Sequence, residues 1–229
     1  MKVVVKLGGF LFPAELDSAL IQAYANVIQR LCEHGYRFVV VTGGGLIARR
    51  YIKTARELGA SEYVCDLLGI QASQLNARLF IGALGRYAHP EPPSSLNLIH
   101  EPFDRGKIVV VGGMQPAQST NAVAALAAEA VGADLLINAT NIDGVYTSDP
   151  RKDPSARKLA VVETQELMKI MLNGSMEAGT YELFDPVAIK VVERSRIKAY
   201  IIDGRVPENI MKAAKGETIG TIVLASRRF

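Results

Sequence analysis

Two glycine clusters each close an apolar run: Lys6-Leu7-Gly8-Gly9-Phe10 and Thr42-Gly43-Gly44-Gly45. Glycine has no Cβ, so backbone N–H groups in such turns can approach and converge on an anion, and a helix starting just beyond adds about half a unit of positive charge. The second cluster runs into a segment of helical period that carries Arg49 and Arg50 about one turn beyond Gly45. A guanidinium there can fold back over the same anion and hold it through two N–H donors, while the other arginine stays solvated. Lys6 brings an ammonium to the first turn. Neither cluster is a Walker A loop, since no Gly-Lys-Ser/Thr follows, and neither completes a GxGxxG fingerprint. Either one alone reads equally well as a tight strand-to-helix turn; the pair points to phosphate chemistry.

A third pair, Gly112-Gly113, closes the run Lys107 to Val111 and leads into Met114-Gln115-Pro116-Ala117-Gln118-Ser119-Thr120. The polar groups here are neutral amides and hydroxyls, which can satisfy an uncharged ligand at no charge cost. Ser119 or Thr120 also suits the N-cap of a helix from Asn121. Asp66, near the start of a long helical run, can accept hydrogen bonds from a diol, although a solvated surface position is the commoner fate of an aspartate. His34, His89 and His100 stand in no triad setting. His34 before Gly35 reads as a helix C-terminus, where a cation and a C′ glycine both stabilise; His89 and His100 flank a stiff proline-rich connection.

The elements that must position these groups alternate along the chain. Short β-branched runs at Lys2–Leu7 and Arg37–Thr42 are separated by helical periodicity over Glu15–Glu33, and helices are predicted at Leu46–Leu58, Glu62–Leu84 and Asn121–Val131. Further strands are predicted at Leu96–Ile99, Lys107–Val111 and Asp134–Asn138. A long polar stretch, Ala139–Lys158, carries Asp143-Gly144, Asp149-Pro150 and Asp153-Pro154 turns, and loops of that length are usually functional. Helices at Glu163–Leu172, Asp185–Arg194 and Pro207–Ala214 and strands at Ala199–Ile202 and Thr221–Leu224 complete the reading. Continuous apolar strands such as Val109-Val110-Val111 fit a sheet covered on both faces. The expected class is α/β, a three-layer αβα sandwich with a mostly parallel central sheet.

With 229 residues, 49% of them hydrophobic, the chain can build one sizeable core without staples. The expected organisation is a single domain of two lobes, 1–130 and 131–229. Cys32 and Cys65 are too few for a disulfide framework and have no zinc spacing, which fits a reducing compartment. No leader-like segment precedes the first strand and no apolar run is long enough to cross a bilayer, so the expectation is a cytoplasmic protein with no membrane partner. A formal charge of +3, no block of like charges and no tryptophan argue against nucleic acid.

These spacings, with Ala139-Thr140-Asn141-Ile142-Asp143-Gly144-Val145-Tyr146 and Asp149-Pro150, closely resemble the amino acid kinase superfamily and, within it, the archaeal uridylate (UMP) kinase branch. The resemblance covers essentially the whole chain. It rests also on Ala48-Arg49-Arg50-Tyr51, on Asp66-Leu67-Leu68-Gly69-Ile70, on Gln115-Pro116 with Ser119-Thr120, and on Asp185-Pro186 with Lys190. It implies an amino acid kinase-like fold and transfer of the γ-phosphoryl group of ATP to UMP, in pyrimidine nucleotide (CTP) biosynthesis. UMP would lie in the first lobe against Gly44, Asp66 and Met114, Gln115, Pro116, Ala117, Gln118, Ser119 and Thr120. ATP phosphates would meet Lys6, Leu7, Gly8, Gly9, Phe10, Gly45 and Arg49, and Thr140, Asn141, Tyr146 and Asp149 in the second lobe would hold adenine and ribose. Tyr146 is equally a tyrosine of a core-edge loop.

Uracil offers two carbonyl acceptors and one N–H donor, which neutral partners satisfy. A phosphomonoester, with a second pKa near 6, is already mostly dianionic at neutral pH and needs no general base. The catalytic parts expected are therefore cations, oriented N–H groups and Mg²⁺ held mainly through the ATP phosphates, with no dedicated protein metal site. Lys6 and Lys190 are the candidate catalytic residues; the bland alternative for Lys190 is a solvated helix lysine. Two positions depart from the pattern. Phe10 stands where some relatives carry a polar residue, and Asn121 where several have an aspartate that organises the lysines. Other acceptors of the superfamily (small carboxylates, carbamate, isopentenyl phosphate) and a non-catalytic nucleotide- or oxyanion-binding assembly are the competing readings. The resemblance also implies a homo-oligomer, a homohexamer in relatives, and end-product inhibition by UTP.

Overall fold

The computed structural model describes residues 1–150, 153–172 and 184–226. The chain opens on β1 (Lys2–Leu7) and passes through α1 (Ser18–Glu33) to β2 (Arg37–Thr42). Two helices, α2 (Gly45–Glu57) and α3 (Glu62–Leu84), then α4 (His100–Asp104), lead to β3 (Val109–Val111). After α5 (Thr120–Ala130) come β4 (Leu135–Thr140) and the strands β5 (Val145–Tyr146), β6 (Lys158–Leu159) and β7 (Val161–Glu163). The described chain ends through α6 (Thr164–Leu172), α7 (Pro186–Ser195), β8 (Lys198–Asp203), α8 (Glu208–Ala214) and β9 (Thr221–Leu224).

Among the described residues seven strands form one sheet in the order β3-β2-β1-β4-β8-β9-β7, parallel throughout except for the β8–β9 pair. Strand alternation splits the core in two. Val3, Val5, Leu7, Phe38 and Val40 pack with Tyr24, Ile28, Phe80, Leu84 and Ile210 of α1, α3 and α8 on one face. Val4, Val39, Val41 and Leu136 pack with Val123, Ala127, Ala188 and Val192 of α5 and α7 on the other. Each fully buried Val, Leu or Ile stabilises by ~1.5–3 kcal/mol relative to exposure, so a one-residue slip of β1 would exchange its whole apolar set between faces. The alanine-rich α5 buries Ala122, Ala124, Ala125, Ala127 and Ala128, which brings its backbone close to the sheet. The expected three-layer αβα sandwich is the observed one.

This winding decides where a ligand sits. The chain steps outward from β1 to β2 to β3, and α5 then carries it back to β4 on the opposite side of β1. In open α/β sheets a crevice opens at the carboxyl ends of the strands where the order reverses, here between Leu7 and Ala139. The first glycine cluster lies at that point, and Gly8 donates its N–H to Ala139 O at 3.0 Å.

Several element boundaries differ from the sequence reading for local reasons. α1 begins at Ser18 rather than Glu15, because Asp17 accepts from the N–H groups of Ala19 and Leu20 and caps the helix there. The strand predicted at Leu96–Ile99 is a 3-10 turn at Leu96–Leu98 followed by α4. Ile99 and Phe103, four apart, are both buried, so the apolar spacing is helical rather than alternating. The Ala139–Lys158 stretch contains the two-stranded β5–β6 ladder, and β7, three residues at the sheet edge beside β9, is too short to show a period. His34 and Gly35 end α1 as expected, with Gly35 at φ +82°.

Candidate active site

The turns after β1 and β2 form a single cradle. A Cβ placed on Gly9 would lie 3.2 Å from Gly45 Cα and 3.7 Å from an Arg49 guanidinium nitrogen. Gly45 has φ +65° and its Cβ would fall 2.3 Å from Phe12 O, so no side chain fits there without moving backbone. Arg49, one turn into α2, thus reaches back over the first glycine turn, while Gly44, the N-cap of α2, leaves the helix without a side-chain cap. A cleft of about 210 Å³ opens beside this cradle, lined by Gly9, Gly43, Gly44, Gly45 and Arg49 and also by Asp66, Gly113, Gln115, Gln118 and Thr120.

Lys6 is 2% exposed and registers with Asn138 of β4 and Val41 of β2. It alternates with Leu7 and so shares the α5 face of the sheet with Asn138 and Thr140. Asn121, in the first turn of α5, is also buried, and its Oδ1 has no hydrogen-bond partner among the described residues. Ser119 caps α5 through the Ala122 N–H at 3.0 Å and bonds the carboxylate of Asp185, which itself caps α7. The N-termini of the two helices on this face therefore meet at the cleft's edge.

Asp66 is placed at the cleft, but one of its oxygens is already engaged: Oδ2 accepts the Ala117 N–H at 2.7 Å. Ala117 sits at φ +59°, an uncommon conformation for a residue with a Cβ, so this bond holds a strained loop. Gln115, Gln118 and Thr120 face the cleft; Met114, Pro116, Ala117 and Ser119 belong to the same loop without lining it.

In the second half, the β5–β6 hairpin is fastened to the sheet by Thr221, whose Oγ1 accepts the Val145 N–H at 2.8 Å and donates to Leu159 O. Tyr146 donates to Asp143 at 3.0 Å and Lys158 pairs with the same carboxylate at 3.0 Å. Burial raises the Asp143 carboxyl, but the hydrogen bonds from Lys158 and Tyr146 outweigh it and hold the group below its ordinary value. The Arg205 hydrogen bonds at 2.8 Å likewise hold Asp203 low. Thr140 and Asp149 are buried, and Asn141 follows Thr140 at the exposed end of β4.

Comparison with known proteins agrees with this geometry. A model of the "Amino acid kinase family" matches residues 1–203. The chain belongs to the amino acid kinase family. It is 49% identical over 221 residues to the "Uridylate kinase" of Hyperthermus butylicus, covering 96% of this chain and 97% of that one. The crystal structure of the uridylate kinase from Archaeoglobus fulgidus superposes with a TM-score of 0.88 at 45% identity, over 97% of this chain and 100% of that one. The UMP kinase of Bacillus anthracis, at 21% identity and a TM-score of 0.84 over 99% and 96% of the two chains, shares the fold.

Within this amino acid kinase fold the side chains of three expected contacts, Lys190, Leu7 and Phe10, do not line the cleft. Lys190 is exposed, pairs with Glu193 one turn along α7 at 3.1 Å, and faces a separate groove of about 350 Å³ with Thr164, Gln165, Met168 and Lys169. Leu7 is a core residue, and the Phe10 ring packs 5.9 Å from Tyr24 and against Gly204, where a Cβ would come within 2.7 Å of it. Phe10 thus offers the site its backbone only. Sequence reasoning missed Thr42, Ser73, Gln74 and Asn76, whose side chains bond the backbone behind the cleft. The available signal was two polar residues three apart, Ser73 and Asn76, on the helix face that also carries Phe80.

Proposed function

We propose that the chain is a UMP kinase that transfers the γ-phosphoryl group of ATP to UMP, giving UDP and ADP for pyrimidine nucleotide synthesis in the cytoplasm. The observation that carries this reading is the joined glycine cradle, with Arg49 over it, opening directly into a cleft also lined by Asp66 and by neutral Gln115, Gln118 and Thr120. Gln115, Gln118 and Thr120 suit a uracil, which needs hydrogen bonds but no counter-charge. The Gly44 end takes the UMP phosphate, and Asp66 keeps Oδ1 for the ribose while Oδ2 holds the loop. Thr140, Asn141, Tyr146 and Asp149 take the adenosine of ATP, with its phosphates on Gly8-Gly9 and Gly45. On this assignment residues 1–130 hold UMP and supply the glycine turns for the ATP phosphates, while 131–229 take the adenosine of ATP.

The UMP phosphate, already dianionic, attacks the γ-phosphorus with one of its oxygens; the bond from that phosphorus to the β,γ-bridging oxygen breaks and its electron pair leaves with ADP. No proton need be removed first. The barrier is charge repulsion and alignment, which the Lys6 ammonium, the Arg49 guanidinium and the N–H groups of both turns lower. Asn121 Oδ1, buried in the first turn of α5, can orient an ammonium on the α5 face by accepting from it, without neutralising it. Lys190 serves as a second cation only after leaving Glu193, so its share is smaller. Mg²⁺ would be held mainly through the ATP phosphates and would supply charge neutralisation there.

No described helix is long and apolar enough to cross a membrane. Exposed Leu75 and Leu79, four apart on α3, support assembly into a homo-oligomer, with a hexamer the expected size by light scattering. The functional test is ADP release, with ATP and Mg²⁺, across a panel of UMP, glutamate-type carboxylates, carbamate and isopentenyl phosphate. Release with UMP alone is expected; silence with UMP would end the assignment.

A further inference from the structure

We propose that Ser73, with Asn76 and Gln74 beside it, is a positioning residue: α3 acts as a bracket that fixes the spacing between the glycine turn after β2 and the acceptor loop after β3. Ser73 is 1% exposed and lies in the wall of the cleft. Its hydroxyl donates to Ile70 O at 2.7 Å, the usual back-bond of a helical serine, and its oxygen then accepts the Gly113 N–H at 2.7 Å. Its carbonyl accepts from Thr42 Oγ1 at 3.0 Å, and that hydroxyl also lies 3.3 Å from Val111 O. Asn76 donates to Gly43 O at 2.8 Å, and Gln74 donates to Gly113 O at 3.2 Å. About one turn of helix thus holds Thr42-Gly43 and Gly113 by side-chain bonds that sheet formation alone would not require.

The fit leaves no slack. A Cβ on Gly112 would lie 2.6 Å from Gln74 N and 2.7 Å from Ser73 C, so the end of β3 rests directly on the backbone of α3. The turn after β1 is held differently, by Gly8 N–H on Ala139 O and by backbone bonds of Leu7 O and Phe12 O with Gly43 and Leu46 N–H, and no described side chain of α3 bonds it. This asymmetry gives the bracket a signature. Loosening it displaces the acceptor relative to a donor that stays in place, and in phosphoryl transfer a misplacement of about 1 Å is enough to cost ~100-fold in rate. Ser73 touches no reacting atom; it acts through Gly113.

The proposal rests on the acceptor lying against Gly113 to Thr120. It is tested by steady-state kinetics of Ser73→Ala and of the milder, half-buried Gln74→Ala, each with both substrates varied, using whichever acceptor the unaltered enzyme phosphorylates. Expected are a rise of about tenfold in acceptor KM and a fall of about tenfold in kcat for Ser73→Ala, a smaller change of the same kind for Gln74→Ala, and an ATP KM within about twofold. Amide hydrogen exchange should quicken in peptides covering 112–120 and stay unchanged over 8–12. Unchanged kinetics in both variants, or equal shifts in acceptor and ATP KM, would overturn the bracket. If the unaltered enzyme prefers an acceptor other than UMP, the substrate assignment fails while the same split still tests Ser73.

Discussion

The acceptor loop and the β5–β6 hairpin are both irregular segments at the carboxyl edge of one sheet, yet they are held in different proportions by buried neutral bonds and by exposed charged ones. Around the acceptor cleft the bonds from Thr42, Ser73 and Asn76 are largely buried, neutral and directed at backbone, and the Asp66 carboxylate on the Ala117 N–H adds one exposed, charged bond. At the hairpin, Thr221 makes two such bonds, but the charged side chains pair in the open, Lys158 with Asp143 and nearby Arg205 with Asp203. Neutral buried bonds are insensitive to salt, whereas exposed ion pairs are screened within about 10 Å at 0.1 M salt and are each worth only ~0–1 kcal/mol. The acceptor side is therefore built for fixed geometry, and the hairpin side for adjustable contact.

The largest expected effect lies where the two regions meet. Lys6→Ala should lower kcat by about a hundredfold or more while circular dichroism still reports the fold; near-normal turnover would remove Lys6 from the chemistry. Gly45→Ala comes next, since an L-residue at φ +65° costs ~1–2 kcal/mol before the clash with Phe12 O is relieved. A lower Tm with weakened binding of both substrates is expected, and an unchanged Tm would contradict the cradle geometry. Lys190→Ala should cost about tenfold or less in kcat, because that ammonium lies outside the cleft; a loss equal to that of Lys6→Ala would mean that α7 rearranges on binding ATP. Asp143→Asn should change ATP KM only a few-fold, and mainly at low salt, leaving UMP KM alone.

Acid separates the regions in the same way. Folding holds the Asp143 and Asp203 carboxyls below the 3.8 of an ordinary aspartate, so their contribution is present above about pH 4 and is lost as pH falls through the lower folded values. The Tm should fall below pH 4 in low salt, and less steeply in Asp143→Asn. An identical slope in that variant would assign the acid sensitivity elsewhere.

Much of this was legible because it is local. The glycine turns, Arg49 one turn beyond Gly45 and the α/β alternation are written in short stretches of chain, and the structure joins the two turns into one site. What was not legible depends on partners distant in sequence. Ser73 and Asn76 read as ordinary helix positions until β2 and β3 are laid against them. Lys190 lies on the expected helix, but the turn of α7 that faces α6 carries it away from the cleft. The strand predicted at Leu96–Ile99 failed because three apolar residues in a short run fit either period, and burial of Ile99 and Phe103 decided for the helix. The resemblance to archaeal uridylate kinases reached further than periodicity could, and at Phe10, where it left a phosphate contact missing or made by backbone alone, the ring packs against Tyr24.

The central claim is that one cradle serves two nucleotides, with the acceptor against neutral Gln115, Gln118 and Thr120. A crystal structure with UMP and a nonhydrolysable ATP analogue bound together tests it most directly. The account predicts the UMP phosphate at Gly44, uracil against Gln115, Gln118 and Thr120, ribose at Asp66, and the γ-phosphate of the analogue between Gly9 and Gly45 within reach of Lys6. UMP bound away from the Gln115–Thr120 loop, or both nucleotides competing for the hairpin side, would contradict it.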